Sequence, residues 1–286
     1  MTTEFPRTLV GGVSLPRLII GTNWFLGYSH TSLAKDKFIK DFQTRERIVA
    51  MLKTFVERGV DAVMGPLAPL LEESVCEAEQ QTGQKIIRIY TPAFSLAGAD
   101  SAGLGKTPET DDSAEAVFDR CAAYHATFCL PHQCVTDALL DRRAGVIRDL
   151  EIYTRMIRER GMIPGLSTHM PESVIYADKM NADVETYIQI YNAAGFLMQV
   201  EADWVMKVIS EAKKPVMTIK PLAAGKLLPV VGLAFAWNTI RDQDMVVIGT
   251  TTPDEAREVI DISLDLLARR LPDYELQKTR SKNSLK

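Results

Sequence analysis

Residues 205–255 of the 286-residue chain read VMKVISEAKKPVMTIKPLAAGKLLPVVGLAFAWNTIRDQDMVVIGTTTPDE, and this stretch decides the fold. Apolar side chains recur with helical spacing over 205–212, and two short β-branched runs follow at 216–219 and 245–248. A helix is predicted between the two runs, and another begins after Thr252, which suits an N-cap. Strands that alternate with helices predict a parallel sheet, because each parallel neighbour is reached through a crossover connection.

The same alternation continues through the rest of the chain. The predicted strands are 17–22, 60–64, 85–90, 127–130, 162–166, 187–191, 216–219 and 245–248. Helices are predicted at 48–56, at 71–81, at 112–124, from the fourth strand to Gly161, after Pro171, at 205–212, at 234–240 and after Thr252. Eight strand-helix units in roughly 250 residues predict a closed (β/α)8 TIM barrel of the α/β class. No Gly-x-Gly-x-x-Gly follows any strand, which argues against an open dinucleotide-binding sheet.

We interpret residues 1–286 as one barrel domain, because no change of composition marks a boundary. Residues from about 270 to 286 are polar and basic, and we expect them to form a C-terminal tail packed loosely outside the barrel. The connection over 92–110 is long and lacks periodicity, which is typical of a functional or mobile loop.

Composition narrows the possible partners. Hydrophobic residues make up 46% and charged residues 24%, as in ordinary globular proteins, and no run approaches the ~20 apolar residues of a membrane helix. A net charge of −4 without a concentrated basic block predicts neither nucleic acid nor a membrane as a partner. The first residues do not resemble a signal peptide, so we expect a cytoplasmic protein whose four cysteines stay reduced. The oligomeric state is left open.

The carboxyl ends of the strands, with the loops that follow them, form the working face of such a barrel. His132 and His169 follow predicted strands, and an imidazole can act near neutral pH as a general acid, a base or a ligand. Lys220 ends a strand between Ile219 and Pro221, where burial would lower its pKa and permit acid-base or Schiff-base chemistry. We expect Lys220 to line a pocket, and we favour a lysine that pairs with a carboxylate or reaches solvent over a covalent catalyst.

An anion site and a metal site are also considered at the strand ends. The segment 249–252 (GTTT) precedes the last predicted helix, and its N–H groups and hydroxyls predict a cradle for an anion such as phosphate. The alternative is that Thr252 only caps the helix, and both roles are compatible. Cys129, His132 and Cys134 lack a second pair at zinc-ligand spacing, so no metal site is predicted.

Five segments resemble the aldo-keto reductases, in the same order along the chain. They are 7–22 (RTLVGGVSLPRLIIGT), 165–172 (GLSTHMPE), 189–192 (QIYN), 220–227 (KPLAAGKL) and 249–255 (GTTTPDE). The resemblance implies a barrel with a short N-terminal β-hairpin and a nicotinamide cofactor that donates hydride to a carbonyl. The positions that it implies for cofactor contacts are Gly21, Thr22, Asn23, Ser167, Tyr191, Gly249, Thr250 and Thr251.

The family's catalytic tetrad of Asp, Tyr, Lys and His is mostly absent from this sequence. Met64 stands where the aspartate is expected, no tyrosine follows it, and Thr91 stands at or next to the expected lysine. His132 is the candidate for the histidine. Glu255 stands where cofactor-binding members often carry an arginine, and its carboxylate would repel a phosphate group.

Three functional hypotheses follow from these observations. The first is an aldo-keto-reductase-like barrel that has lost the tetrad and binds a small anionic metabolite, with His132, His169 and Lys220 as the candidate catalytic residues. The second is an oxidoreductase that uses NADP or NAD and takes its proton from Tyr90 or Tyr28. The third is a non-catalytic binding or regulatory protein. The sequence leaves the cofactor and the substrate open.

Overall fold

The computed structural model describes residues 5–96 and 112–272. The strands are β1 (Arg7–Val10), β2 (Val13–Pro16), β3 (Leu18–Gly21), β4 (Ala62–Gly65), β5 (Ile87–Tyr90), β6 (Phe128–Cys129), β7 (Leu140–Asp141), β8 (Val146–Ile147), β9 (Ile163–Pro164), β10 (Leu166–Thr168), β11 (Tyr187–Ile190), β12 (Val216–Ile219) and β13 (Met245–Ile248). The helices are α1 (Asn23–Leu26), α2 (Leu33–Phe42), α3 (Arg45–Val56), α4 (Pro69–Thr82), α5 (Ala114–Ala123), α6 (Gln133–Leu139), α7 (Leu150–Glu159), α8 (Pro171–Met180), α9 (Ala202–Glu211), α10 (Pro229–Thr239) and α11 (Pro253–Leu267).

One strand of the main sheet is divided between two neighbours, and this division closes the barrel. β9 pairs in parallel with β6, and β10 pairs in parallel with β11. Only Gly165 separates the two pieces, and its N–H donates to the carbonyl of Cys129, whereas the next N–H, of Leu166, donates to the carbonyl of Thr186. A Cβ at position 165 would lie 2.6 Å from the Leu130 Cγ, so a larger residue would not fit. With β9 and β10 taken as one strand, eight parallel strands form a ring, and the predicted (β/α)8 barrel is confirmed.

Alternate residues of each strand face either the inside of the ring or the surrounding helices. Ile19 belongs to an inner apolar cluster, whereas its neighbours Leu18 and Ile20 pack in the larger outer cluster with the helices. β1 and β2 form the predicted antiparallel hairpin, and their Val10 and Leu15 pack into the inner cluster. The hairpin therefore contributes to the core inside the ring.

The helical shell departs from the prediction between β3 and α3, where α1 and α2 were not predicted, and between β6 and β9. α2 is an additional helix that begins at the N-cap Ser32, whose hydroxyl accepts from the N–H of Lys35. The single helix predicted up to Gly161 is wrong, because α6, the small β7–β8 hairpin and α7 occupy that stretch. The Asp141 side chain accepts the N–H groups of the next turn, and Gly145 adopts a φ of +71°, so the chain reverses there.

The sequence interpretation also covers segments outside the described residues. Residues 97–111 of the long connection and residues 273–286 of the C-terminal tail are among them, so the expectations for that loop and that tail stay predictions. Within the described ranges, no helix combines the length and the apolar character needed to cross a membrane.

Candidate functional site

A cavity of about 460 Å³ opens at the carboxyl ends of the barrel strands. Nine of the eleven residues predicted for the site line this cavity, namely Gly21, Asn23, His132, Ser167, His169, Lys220, Gly249, Thr250 and Thr251. Most of the remaining wall is apolar and includes Trp24, Ile188, Leu222 and Val247. A concave, mainly apolar space with a few convergent polar groups is the usual form of a small-molecule site.

Two predicted cofactor contacts, Tyr191 and Thr22, do not belong to the cavity. The Tyr191 side chain is buried among the helices, where its hydroxyl lies 3.0 Å from the Thr239 hydroxyl and its ring packs on Phe235. Thr22 is buried beside β4, and its Oγ1 occupies the space that a side chain at Gly65 would need. Both residues follow the end of a strand by one position, and the alternation of side chains directs them away from the centre of the ring.

His30 is a cavity residue that the sequence interpretation missed. The chain turns at Gly27, which ends α1 in the left-handed region, and His30 itself has a φ of +57°. The Asn23 amide nitrogen lies 3.0 Å from His30 Nε2, so the amide donates to that ring nitrogen. The turn is also held by Asp36, whose carboxylate accepts from both the N–H and the hydroxyl of Ser29. No periodic pattern covers this turn, so the sequence carries no signal for the position of His30.

Lys220 reaches the cavity from the end of β12 and is only partly exposed. Among the described residues, its ammonium makes no hydrogen bond or ion pair. Burial lowers the pKa of Lys220 from 10.5 to about 8. Of the two alternatives that the sequence left open, no carboxylate pairs with Lys220 among the described residues, and the side chain lines the cavity while it remains partly exposed to solvent.

Three imidazoles share the cavity with this ammonium. Burial and then the charge of Lys220 lower the pKa of His169 to about 3 and that of His30 to about 4. The same two causes, in the same order, lower the pKa of His132. All three rings are therefore neutral at pH 7, and each offers one N–H donor and one acceptor nitrogen.

His132 is oriented by the residue that begins the next helix. It is the N-cap of α6, and its Nδ1 accepts the N–H of Cys134 at 3.4 Å and lies 3.0 Å from the Cys134 Sγ. Burial raises the pKa of the Cys134 thiol, so the sulfur keeps its proton and can donate to Nδ1. With Nδ1 as the acceptor, the ring proton is on Nε2.

The segment that carries His169 is anchored to a buried carboxylate of α6. The Asp137 carboxylate accepts the Thr168 hydroxyl at 2.5 Å and the N–H of His169 at 3.3 Å. Burial raises the pKa of Asp137 to about 6 despite these two hydrogen bonds. Thr168 Oγ1 also accepts the N–H of Met170 at 2.9 Å, so the turn after β10 is tied at several atoms.

The side of the cavity formed by the segment 249–252 and the start of α11 does not have the character of the predicted anion cradle. Thr252 is the N-cap of α11 and accepts the N–H of Glu255, as predicted. The Glu255 carboxylate, however, accepts the N–H of Thr251 at 2.6 Å and its hydroxyl at 2.5 Å. Glu258 also lines this side, and Lys220 is the sole lysine or arginine among the described lining residues. These groups do not fit the phosphates of a nicotinamide dinucleotide, because two carboxylates would repel them.

The two alternative proton donors also lie away from the cavity wall. The Tyr90 hydroxyl is 2.6 Å from the Glu72 carboxylate on the outer side of β5, and burial together with this carboxylate raises its pKa. Tyr28 is about half exposed on the surface. Met64 and Thr91, at the positions of the expected aspartate and lysine, do line the cavity. Within the described ranges, therefore, no phenol faces the three imidazoles.

The described residues contain no group of three histidine, cysteine or carboxylate side chains arranged to hold a metal ion. All four cysteines are free, and the Sγ atoms of buried Cys121 and Cys129 lie 3.9 Å apart.

Comparisons with known proteins find likeness in structure only. No protein family profile and no curated protein matches the sequence. A protein from Pseudomonas aeruginosa assigned to the aldo-keto reductases is 14% identical, with a TM-score of 0.62 over 93% of this chain and 98% of that one. An aldo/keto reductase from Brucella melitensis is 14% identical, with a TM-score of 0.57 over 92% of this chain and 99% of that one. A glycerol dehydrogenase from Gluconobacter oxydans is 12% identical, with a TM-score of 0.56 over 96% of this chain and 98% of that one. The chain has the fold of the aldo-keto reductases, as the sequence motifs predict.

Proposed function

We propose that this chain binds a small carboxylate-bearing metabolite at the carboxyl end of its barrel and that it does not reduce carbonyls with the aldo-keto reductase tetrad. The observation that carries the proposal is the Lys220 ammonium, which lines the cavity without a carboxylate partner among the described residues. A cation removed from water is costly unless an opposite charge accompanies it. A bound anion would supply that charge.

The neighbouring donors support a carboxylate as the anionic group. The neutral His132 ring carries its proton on Nε2, and Ser167 and Asn23 add a hydroxyl and an amide to the same cavity. Lys220 would supply the charge, and the neutral donors would share the carboxylate oxygens. The apolar wall formed by residues such as Trp24 and Ile188 would cover the hydrocarbon part of the metabolite.

Calorimetric titration with hexanoate tests the proposal, because this probe combines a carboxylate with a short apolar chain. We expect measurable binding that weakens by about tenfold or more in Lys220→Met, since a charge-assisted contact is worth about 1.5–3 kcal/mol. Lys37→Met is the matched control, because Lys37 is exposed on α2. Equal affinities of the two variants for hexanoate would refute the proposal.

Nicotinamide-dependent oxidoreduction is the second candidate, and the shared fold together with Ser167 in the cavity favours it. The two glutamates at the α11 side of the cavity argue against it. Titration with NADPH and with NADH separates the candidates, and we expect no binding up to millimolar cofactor. Micromolar affinity for either cofactor would replace the first proposal with the second.

The remaining parts of the proposal concern partners and location. We infer a small-molecule ligand rather than nucleic acid, because the chain is acidic overall and lacks a concentrated basic block. We also infer a cytoplasmic location, for which the four free cysteines are the supporting observation. Residues 1–286 would act as one domain.

A further inference from the structure

We propose that Lys220 forms a Schiff base with the carbonyl carbon of a 2-oxo carboxylate held in the strand-end cavity. This inference rests on the proposed carboxylate site and adds to it a covalent step and a substrate class. The sequence alone favoured a lysine that is paired or solvated over a covalent catalyst. We now favour the covalent role, because the structure supplies two observations that the sequence does not contain.

The first observation is backbone strain at the lysine itself. Lys220 has a φ of +60°, and Ala223 and Ala224, three and four residues later, have values of +50° and +57°. A left-handed backbone costs a residue with a side chain about 1–2 kcal/mol. Three such residues in one five-residue turn are kept only where the surrounding structure enforces them, and such strain concentrates at functional sites. The turn projects Lys220 into the cavity.

The second observation is the state of the amine. A lysine that serves only the fold gains from a partner carboxylate, but none contacts Lys220 within the described ranges. The lowered pKa, about 8, leaves roughly a tenth of the amine unprotonated at pH 7, and only that form can attack a carbonyl. An unperturbed lysine would have roughly a thousandth in that form at most.

The step balances with groups that the cavity provides. The Lys220 Nζ lone pair forms a bond to the carbonyl carbon, the carbon–oxygen π bond breaks, and the oxygen gains a proton as the nitrogen loses one. The hydroxyl of the resulting carbinolamine then takes up a second proton, which comes from solvent, and leaves as water, and a protonated imine remains. The three neutral imidazoles, His30, His132 and His169, each have an acceptor and a donor nitrogen that can relay these protons. No oxidant or reductant is consumed, and added water reverses the step.

The arrangement selects a carbonyl that is next to a carboxylate. Once Lys220 is part of a protonated imine, its nitrogen still carries a positive charge, and a carboxylate on the adjacent carbon lies beside that charge. Ser167 and His132 line the same cavity, and their O–H and N–H groups can donate to the carboxylate oxygens. The apolar walls, with Met64 and Ile219 among them, fit a hydrocarbon chain on the other side of the carbonyl.

Borohydride trapping tests the inference directly. The full-length protein is incubated with 2-oxohexanoate, reduced with sodium borohydride, digested and analysed by mass spectrometry. We expect one stable secondary-amine adduct at Lys220, absent from Lys220→Met and retained in Lys37→Met. The ketone 2-hexanone, which has a methyl group in place of the carboxylate, is expected to label Lys220 at least tenfold less at equal concentration. Lys220→Arg keeps the charge but cannot form the imine, so it is expected to bind hexanoate without being trapped.

The outcomes separate this inference from the function on which it rests. If hexanoate binds and depends on Lys220 but 2-oxohexanoate leaves no adduct there, the Schiff base is refuted and the carboxylate site stands. If 2-hexanone labels Lys220 as fast as 2-oxohexanoate does, the proposed substrate class is refuted. Labelling of Lys220 no faster than of exposed Lys37 refutes the special reactivity of this amine. Thermal melting of each variant shows whether it is folded before trapping is interpreted.

Discussion

Arg88 lies on a barrel strand and Lys220 lies directly after one, and the surroundings of these two cations are opposite. Arg88 on β5 faces the helices and hydrogen-bonds to the carboxylates of Glu72 and Glu79 at 3.0–3.2 Å. Burial alone would lower the pKa of Arg88, but these hydrogen bonds and charges raise it. Lys220 after β12 faces the cavity without such a partner among the described residues, and burial lowers its pKa to about 8.

The difference distinguishes a charge that serves the fold from one that is available to a ligand. Arg88 is 5% exposed, and its nitrogens also contact a backbone carbonyl, so its charge is satisfied within the protein. Lys220 has a desolvated charge and a strained backbone at the same residue, and neither is compensated by a described neighbour. A perturbed group inside a cavity is a candidate for function for this reason.

The largest expected effect is the loss of stability when Arg88, the paired cation, is replaced. Arg88→Met leaves Glu72 buried without a counter-charge and leaves Glu79 with only the exposed Lys85 ammonium at 3.7 Å, so we expect the free energy of unfolding to fall by about 3–5 kcal/mol. Urea denaturation followed by circular dichroism measures this loss. The control is Arg257→Met, which breaks an exposed pair with Asp254 and is expected to cost about 1 kcal/mol at most. A loss from Arg88→Met no larger than the control's would show that Arg88 is not structurally required.

For Lys220→Met we expect the opposite change, namely an increase in the free energy of unfolding at pH 7. The folded-state pKa of about 8 lies below the unfolded value of 10.5, so the unfolded chain binds more protons between these pH values. Stability of the wild type therefore rises with pH from about 8 to 10.5, at up to roughly 1.4 kcal/mol per pH unit. Removal of the charge should stabilise the protein at pH 7 by about 1–3 kcal/mol, because the side chain is partly exposed.

Urea denaturation of Lys220→Met and wild type at pH 7 and at pH 10.5 measures both the stabilisation and its pH dependence. The difference in the free energy of unfolding between the two proteins should narrow at the higher pH, because the wild-type lysine is then neutral in the folded state and about half neutral in the unfolded state. A variant that is less stable than wild type at pH 7 would mean that Lys220 has a partner in the folded protein.

A smaller effect is expected on the imidazoles around the unpaired cation. Burial is the larger cause of the low pKa of His169 and of His132, and the charge of Lys220 is the next. Lys220→Met removes only the second cause, so both pKa values should rise but stay below 6.5. A pH titration followed by NMR of the histidine ring protons measures this change. Unchanged pKa values in the variant would place the ammonium too far from the rings to act with them.

The smallest expected effect concerns the orientation of His132. Cys134→Ala removes the thiol beside Nδ1 but keeps the backbone N–H, so we expect hexanoate affinity to fall by about twofold to fivefold. Cys134→Ser restores a side-chain donor and should recover part of that loss. The chemical shift of His132 Nε2, followed by nitrogen NMR, reports the tautomer directly. If the alanine variant keeps both affinity and tautomer, the backbone contact alone orients the ring.

The arrangement of elements could be predicted because it depends on short-range patterns. The bounds of β12 and β13 coincide with the predicted runs at 216–219 and 245–248, and Thr252 caps α11 as predicted. The prediction failed between α6 and α7, where the Asp141 side chain bonds to the turn that follows and interrupts an apparently continuous helix. The division of one strand at Gly165 was also missed, because it depends on two neighbours in the sheet.

The sequence could predict which residues lie at the strand ends and line the candidate site, but it could not predict the charges and contacts around them. Chain position placed His132, His169 and Lys220 at the working face, and the cavity contains all three. His30 was missed, since it reaches the cavity through a turn without periodicity. The contact between Glu255 and Thr251 was not foreseen either, although both residues were considered for opposite roles in binding an anion.

The sequence by itself determined the barrel. The hydrophobic periodicity of a strand or a helix involves residues only a few positions apart, so it can be recognised without knowledge of the rest of the fold. The tertiary structure alone decided which charges are satisfied. Arg88 pairs with Glu72 and Glu79 across a helix–strand contact. Lys220 instead shares its cavity with three neutral imidazoles that come from three distant segments of the chain. The energy of a charge depends on everything within several ångströms of it, and only the folded chain brings those groups together.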